Sequence, residues 1–220
     1  DGQPVTGDAG PIGADCHVGL AGDTLHDQIL RPPQAAQSLA NYVSRCANVY
    51  FATPDHDDEK CVAELLQGVR QVHDEVRTEA EREGRPGAAT TLTLVVLFWP
   101  KAYLVHVGDS RAYLVRNERL VRLTRDHTVV QQEIDAGRLT PELARLVPHK
   151  HILTQSVGFH GPVEPDTTTR MVERGDLFIL CSDGLHGYLR ESDIAAIVAL
   201  GGEDTVKKFI ALANERGGKD

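Results

Sequence analysis

The sequence predicts an α+β fold in which antiparallel sheets are covered by pairs of helices. Helices come before and after blocks of strands, whereas a parallel sheet requires strands and helices to alternate strictly. Between residues 88 and 124, apolar β-branched segments follow one another with short links, which is typical of antiparallel neighbours. The flanking segments repeat apolar residues at helical spacing. We therefore predict a single domain over residues 1–220.

The first part of the chain predicts one strand and two helices. Residues 1–31 are rich in Gly, Asp and Pro and contain one short apolar segment, CHVGLAG, which indicates a strand. Residues 32–52 begin with two prolines and continue with apolar residues at roughly helical spacing. Residues 61–84 form the clearest helical pattern. Its apolar face consists of Val62, Leu65, Leu66, Val69, Val72 and Val76.

The middle of the chain predicts consecutive strands followed by a helical insert. The strand segments, each apolar and bounded by turn residues, are 88–99, 102–107, 111–115 and 120–124. We expect these neighbours to pair in one antiparallel sheet, with 102–107 and 111–115 joined as a hairpin. Residues 129–150 follow as helix in two pieces, with Thr140 as the N-cap of the second.

The last part predicts strands and then helices. HILTQSV (151–157), TTTRMVE (167–173) and DLFIL (176–180) have strand character. Residues 190–200 and 203–217 are amphipathic and are predicted as helices opened by a Ser or Asp cap.

Composition excludes several classes of function. Lys and Arg number 23 against 32 Asp and Glu, so the net charge is −9 and the chain is a poor partner for nucleic acid. No apolar run approaches the roughly 18–20 residues that span a membrane. The 4 cysteines include no C-x-x-C pair, which favours free thiols in a reducing compartment, the cytoplasm.

Three aspartates are candidate metal ligands. Asp109 and Asp183 each follow a buried apolar strand next to a glycine, and Asp220 follows two glycines at the end of a predicted helix. Alternatively, Asp109 and Asp183 are ordinary turn residues that cap backbone N–H groups. Aspartates without a Cys or His partner at ligand spacing suit an oxygen-liganded cation such as Mg²⁺ or Mn²⁺, and not Zn²⁺.

Four segments give the chain a family resemblance. VGDSRAYLVRNERLVRLTRDHT, HILTQSVG, LFILCSDGL and ANERGGKD occur in order between residues 88 and 220. In this combination they resemble the metal-dependent protein serine/threonine phosphatases of type 2C. The helical insert at 129–150 is similar to that of the bacterial branch, whose members carry a mobile flap nearby.

The resemblance implies a β-sandwich of two antiparallel sheets flanked by helix pairs, a four-layer αββα arrangement. It also implies two or three Mn²⁺ or Mg²⁺ ions, with a metal-bound hydroxide attacking phosphoserine or phosphothreonine in proteins. Asp183 and Asp220 match the core metal ligands, and Asp109 matches the ligand of a third, weaker ion. No side chain is expected to act as a nucleophile, and Arg111 is expected to be structural, an ion-pair partner within the turn.

The N-terminal segment departs from the family pattern. Asp23, in AGDTLHDQ, lies where the family has an aspartate in an A-D-G-x-G-G loop, but the Asp-Gly order is not kept. Asp15, in GPIGAD, is an alternative ligand, although no arginine accompanies it. Both ends look trimmed relative to the family. These departures leave open a pseudophosphatase, in which the same scaffold serves as a binding or regulatory module.

One locally basic stretch is a candidate substrate-binding surface. It contains Arg138, Arg145 and Lys150, and we expect Arg145 and Lys150 to help receive a phosphorylated protein. His106 and His127 are expected to be structural. The protein is expected to be a monomer.

Overall fold

A computed structural model describes residues 57–144, 146–148 and 152–218, together with the backbone of residues 16–21. Two antiparallel sheets form its centre. The first sheet has the order β1-β2-β3-β6 and consists of β1 (Cys16–Ala21), β2 (Leu92–Phe98), β3 (Lys101–Val107) and β6 (Asp166–Met171). The second has the order β5-β4-β7 and consists of β4 (Arg111–Arg116), β5 (Arg119–Arg122) and β7 (Leu177–Cys181).

Helices cover the outer faces of both sheets. The long helix is α1 (Asp58–Arg82), and the helices that cover the second sheet are α5 (Glu191–Val198) and α6 (Gly202–Glu215). The short helices are α2 (Val129–Asp135), α3 (Pro141–Ala144) and α4 (Asp183–His186). No helix within the described ranges is long and apolar enough to cross a membrane.

Alternation along the strands separates three layers of core. In β3, Tyr103 and Val105 pack toward α1, whereas Leu104 packs between the sheets. In β7, Ile179 packs toward α5 and α6, whereas Phe178 packs between the sheets. Successive side chains of a strand point to opposite faces, so strands buried on both sides read as continuous apolar runs. The predicted helix–sheet–sheet–helix layering is confirmed.

Helix α1 begins where local chemistry favours it. The Asp57 side chain accepts a hydrogen bond from the Glu59 N–H at 2.9 Å, as an N-cap residue does. Leu65, Val69 and Val72 then lie on the buried face, each 2% exposed or less. The predicted companion helix over residues 32–52 lies outside the described residues.

The expectation that β3 and β4 form a hairpin in one sheet was wrong. β3 pairs with β2 and β6, whereas β4 pairs with β5 and β7, so residues 108–110 cross from one sheet to the other. Both strands are apolar on both faces, and such strands carry no pattern that specifies their partner. The hairpins of the described residues instead join β2 to β3 and β4 to β5. In the second, Asn117 and Glu118 have φ of 50° and 61°, as a tight turn of this kind requires.

Three smaller expectations were also wrong. Residues 152–157, the described part of the predicted strand 151–157, do not form a strand. They make only two isolated bridges, from Leu153 to Thr128 and from Val157 to Thr90. Helices α5 and α6 are capped by Arg190 and Gly201, instead of Ser or Asp. In α5 the Asp193 carboxylate, inside the first turn, accepts instead from the Arg190 N–H at 2.8 Å.

Candidate metal centre

The inter-sheet connection that carries Asp109 is held closely on the side of the first sheet. Gly108 has φ of 109°, and a Cβ at this position would lie 2.4 Å from Cγ2 of Thr91, so glycine is required. The Gly108 N–H donates to Nδ1 of His127 at 3.3 Å, and its carbonyl accepts from the His127 N–H at 2.7 Å. Ser110, fully buried, shares a hydrogen bond of 2.9 Å with the Thr91 hydroxyl. The position of Asp109 is therefore fixed by its two neighbours.

Asp183 lies beside this connection because of the strand register. Arg111 and Cys181 are partners in the antiparallel ladder of β4 and β7. The residues just before Arg111 and those just after Cys181 therefore lie at the same end of the second sheet. Asp109 belongs to the first group, and Asp183, the first residue of α4, belongs to the second.

A histidine joins the two segments directly. His186, the last residue of α4, places Nε2 at 2.9 Å from the backbone carbonyl oxygen of Asp109. A carbonyl only accepts, so Nε2 carries the proton and donates it. Burial, together with the nearby charge of Arg111, lowers the pKa of His186 to about 3. The imidazole is therefore neutral at physiological pH, and it adds no positive charge beside the aspartates.

An ion-pair cluster of Arg111, Arg122 and Asp126 lies close to His186. The Arg111 guanidinium donates two hydrogen bonds to the Asp126 carboxylate, at 3.1 and 2.7 Å, and Arg122 also donates to it. Burial raises the pKa of Asp126, but the hydrogen bond and charge of Arg111 and the charge of Arg122 outweigh it, so the pKa lies below its ordinary value. The cluster ties the start of β4 to the segment after β5. Arg111 thus forms an ion pair, as expected, but its partner Asp126 lies outside the turn in which a partner was predicted.

A pair of histidines, His106 and His127, supports the connection from the first sheet. His127 accepts from Gly108 at Nδ1, so its proton is on Nε2, which lies 3.1 Å from Oδ2 of Asp166. The ring of His106 lies 5.0 Å from that of His127, and its Nδ1 bonds the Thr93 hydroxyl at 2.9 Å. Burial, followed by the neighbouring His127, lowers the pKa of His106 to about 4. Both histidines are buried and lie beside the connection, while Nε2 of His106 has no hydrogen-bond partner among the described residues.

Of the predicted metal ligands, the structure places Asp109 and Asp183 at the same end of the second sheet. Asp23 and Asp220, and the predicted substrate residues Arg145 and Lys150, lie outside the described residues. Asp15, the alternative to Asp23, lies outside them as well. Within the described ranges no group of three or more His, Cys, Asp or Glu side chains is arranged around a common point.

The chemistry of this region suits a hard cation. Asp109, which is 7% exposed, and Asp183 offer carboxylate oxygens, which Mg²⁺ and Mn²⁺ prefer. The neighbouring imidazole of His186 uses Nε2 on a carbonyl group, so this nitrogen is not offered to a metal. A Zn²⁺ site would typically include Cys or His among its ligands. The donors present therefore fit the predicted Mg²⁺ or Mn²⁺.

Sequence reasoning missed His186. The available signal was its spacing, because a residue three positions after Asp183 lies on the same side of a helical turn. The spacing alone does not predict the contact, because it does not show that α4 lies against the connection that carries Asp109.

Comparison with known proteins places the chain in a family. The sequence pattern of protein phosphatase 2C matches residues 9–213. The chain belongs to the protein phosphatase 2C family. It is 37% identical over 153 residues to protein phosphatase PhpP of Streptococcus pneumoniae, a match that covers 69% of this chain and 61% of PhpP. It is 35% identical over 169 residues to the serine/threonine protein phosphatase PstP of Mycobacterium tuberculosis, covering 74% of this chain and 33% of PstP. The chain thus spans less than two thirds of either relative.

Solved structures of this family have the same fold. The serine/threonine phosphatase of S. agalactiae superposes with a TM-score of 0.75 at 29% identity, covering 93% of this chain and 83% of that one. The catalytic domain of PstP in complex with 2 manganese ions superposes with a TM-score of 0.71 at 26% identity, covering 93% and 95%. The family and the fold expected from the sequence are both confirmed.

Proposed function

We propose that this protein hydrolyses phosphoserine and phosphothreonine in phosphorylated proteins, and that it depends on two or three Mn²⁺ or Mg²⁺ ions. The observation that carries the proposal is the placement of Asp109 and Asp183 at one end of the second sheet, joined through His186. Membership of the phosphatase family and the manganese in the PstP structure support it. When bound, the ions would lower the pKa of a water molecule and neutralise phosphate oxygens.

The chain's own residues would hold and orient these ions. Asp183 would supply a core ligand from the first residue of α4, and Asp109 would supply the ligand of a further ion from the inter-sheet connection. Asp220 and Asp23 complete the proposed set. None of these side chains is proposed as a nucleophile, so no covalent intermediate with the protein is expected.

The proposal for substrate binding assigns Arg145 and Lys150 to the incoming phosphorylated protein. Arg138, the third basic residue of that stretch, donates two hydrogen bonds of 2.7 Å to Glu133. This pairing makes Arg138 a weaker candidate. Changing Arg145 and Lys150 to Ala together is expected to raise KM for a phosphopeptide, because cations that meet the substrate's phosphate would be lost. If KM and kcat of this double variant are unchanged, the assignment of Arg145 and Lys150 to substrate binding is wrong.

We also propose that the protein acts on protein substrates in a bacterial cytoplasm, as a monomer with a single domain. The net charge of −9 supports protein over nucleic acid as the partner. Size-exclusion chromatography with light scattering would test the monomer, since a mass near twice 24.0 kDa would contradict it.

Asp183→Ala is the decisive variant for the activity. Para-nitrophenyl phosphate and a phosphothreonine peptide would be incubated with Mn²⁺, with and without chelator. We expect turnover by the unmodified protein, its loss on chelation, and its loss in Asp183→Ala. Asp204→Ala, at an exposed acidic residue in the first turn of α6, is the matched control and should keep full activity. Chelator-resistant turnover, or full activity of Asp183→Ala, would contradict the proposal.

A further inference from the structure

His186 is the contact through which α4 holds the connection that carries Asp109. The other sides of that connection are held from elsewhere: Gly108 by His127, and Ser110 by Thr91. The Asp109 carbonyl accepts instead from Nε2 of His186 at 2.9 Å. The side chain that could bind a metal and the carbonyl that His186 binds therefore belong to the same residue.

The other end of this link is equally fixed. Asp183 and His186 are the first and last residues of a one-turn helix. The Gly187 N–H donates to the Asp183 carbonyl at 2.8 Å, and a Cβ on Gly187 would lie 2.6 Å from that oxygen. The backbone of Gly187 therefore closes this turn tightly against Asp183, with His186 between them.

We propose that His186 is a positioning residue, which sets the separation between the Asp109 and Asp183 carboxylates and thereby the affinity of the site for divalent ions. The inference rests on the proposed function, because it assumes that both aspartates bind metal. His186 acts through the Asp109 backbone and touches neither metal nor substrate. Residues that orient metal ligands in this way typically contribute roughly 10-fold to 100-fold in metal affinity.

Substitutions at residue 186 can separate this role from folding. His186→Leu fills the space but removes the donor. His186→Gln keeps an N–H₂ group near the position of Nε2, whereas His186→Asn has a donor that is too short to reach. The matched control is His160→Leu, at an exposed histidine whose ring is tilted against that of Phe159, in the loop that contacts His73 of α1.

The experiment is a calorimetric titration of each metal-free protein with Mn²⁺, accompanied by the Mn²⁺ dependence of phosphopeptide hydrolysis. We expect His186→Leu and His186→Asn to bind Mn²⁺ at least about 10-fold more weakly. His186→Gln should stay within about 3-fold of the unmodified protein, and His160→Leu should match it. At saturating Mn²⁺, kcat of His186→Leu should recover most of its value, because the chemistry itself does not use the imidazole.

Equal Mn²⁺ affinity in the unmodified protein and in the Leu and Asn variants would overturn the inference and leave the proposed function intact. Equal weakening in the Gln and Asn variants would also overturn it, since the donor would then not matter. If His186→Leu does not fold, the contrast between Gln and Asn decides. If the unmodified protein binds no Mn²⁺, the proposed function fails, and the inference fails with it.

Discussion

His106 should make the stability of this protein depend on pH in a predictable direction. The residue is fully buried, and its folded-state pKa of about 4 lies below the ordinary value of 6.5. Between these two values the unfolded chain carries a proton on this imidazole that the folded protein does not. Acidification therefore favours unfolding. The stabilising contribution is complete above pH 6.5 and is lost as the pH falls toward 4.

The magnitude follows from the same two values. Proton linkage costs about 1.4 kcal/mol per pH unit for one group. The loss from pH 6.5 to pH 4 then comes to about 3 kcal/mol, which is a large part of the roughly 5–15 kcal/mol that stabilises a typical domain. The groups that face His106 are His127, Asp126 and Asp166, of which the two carboxylates oppose this effect.

The assay is urea denaturation of the metal-free protein at several pH values between 7.5 and 4.5, with His106→Asn as the comparison. Asn can keep the hydrogen bond to Thr93 but has no proton to take up. His186 titrates in the same direction, so only the difference between the two proteins reports His106. We expect the variant to be less stable at neutral pH. As the pH falls, its free energy of unfolding should decrease less steeply, by the contribution of about one proton to the slope. Parallel loss of stability in both proteins would refute the reasoning.

Two further predictions concern stability. Asp126→Asn should lower the free energy of unfolding by about 3–5 kcal/mol, because Arg111 and Arg122 would lose their buried carboxylate; a loss below about 1 kcal/mol in chemical denaturation would contradict this. Gly158→Ala should lower the free energy of unfolding by about 2–4 kcal/mol, since φ is 91° and the new Cβ would lie 2.3 Å from Cγ1 of Val76. Val76→Ala should relieve part of that loss in the double variant. If the losses of the two single variants were strictly additive in the double variant, the clash would be contradicted.

The elements of the fold were largely predictable from the sequence, and the partners of the strands were not. Helix α1 was predicted over 61–84 and spans Asp58–Arg82, because its apolar face repeats at helical spacing. Strand β3 was predicted over 102–107 and spans Lys101–Val107. Its assignment to the same sheet as β4 failed, because pairing depends on the distant strands β6 and β7, and local pattern does not specify them.

The candidate site was predictable in its residue types and not in its geometry. Asp109 and Asp183 were candidates because each follows an apolar strand beside a glycine, and the family resemblance then implied that they bind metal. The register that brings Arg111 beside Cys181, and therefore Asp109 near Asp183, comes from a ladder between strands separated by more than 60 positions in the chain. The link through His186 follows from that register, which is why the sequence pattern did not reveal it.

The central claim is that Asp109 and Asp183 bind divalent metal at one end of the second sheet. A crystal structure of the protein soaked with Mn²⁺, with anomalous diffraction recorded near the manganese absorption edge, tests it most directly. We predict anomalous peaks within bonding distance of a carboxylate oxygen of Asp183 and of Asp109. The other side chains around the peaks will show whether Asp220 is also a ligand, and whether the last ligand is Asp23 or Asp15. Peaks that avoid both Asp109 and Asp183, or no peaks at saturating Mn²⁺, would contradict it.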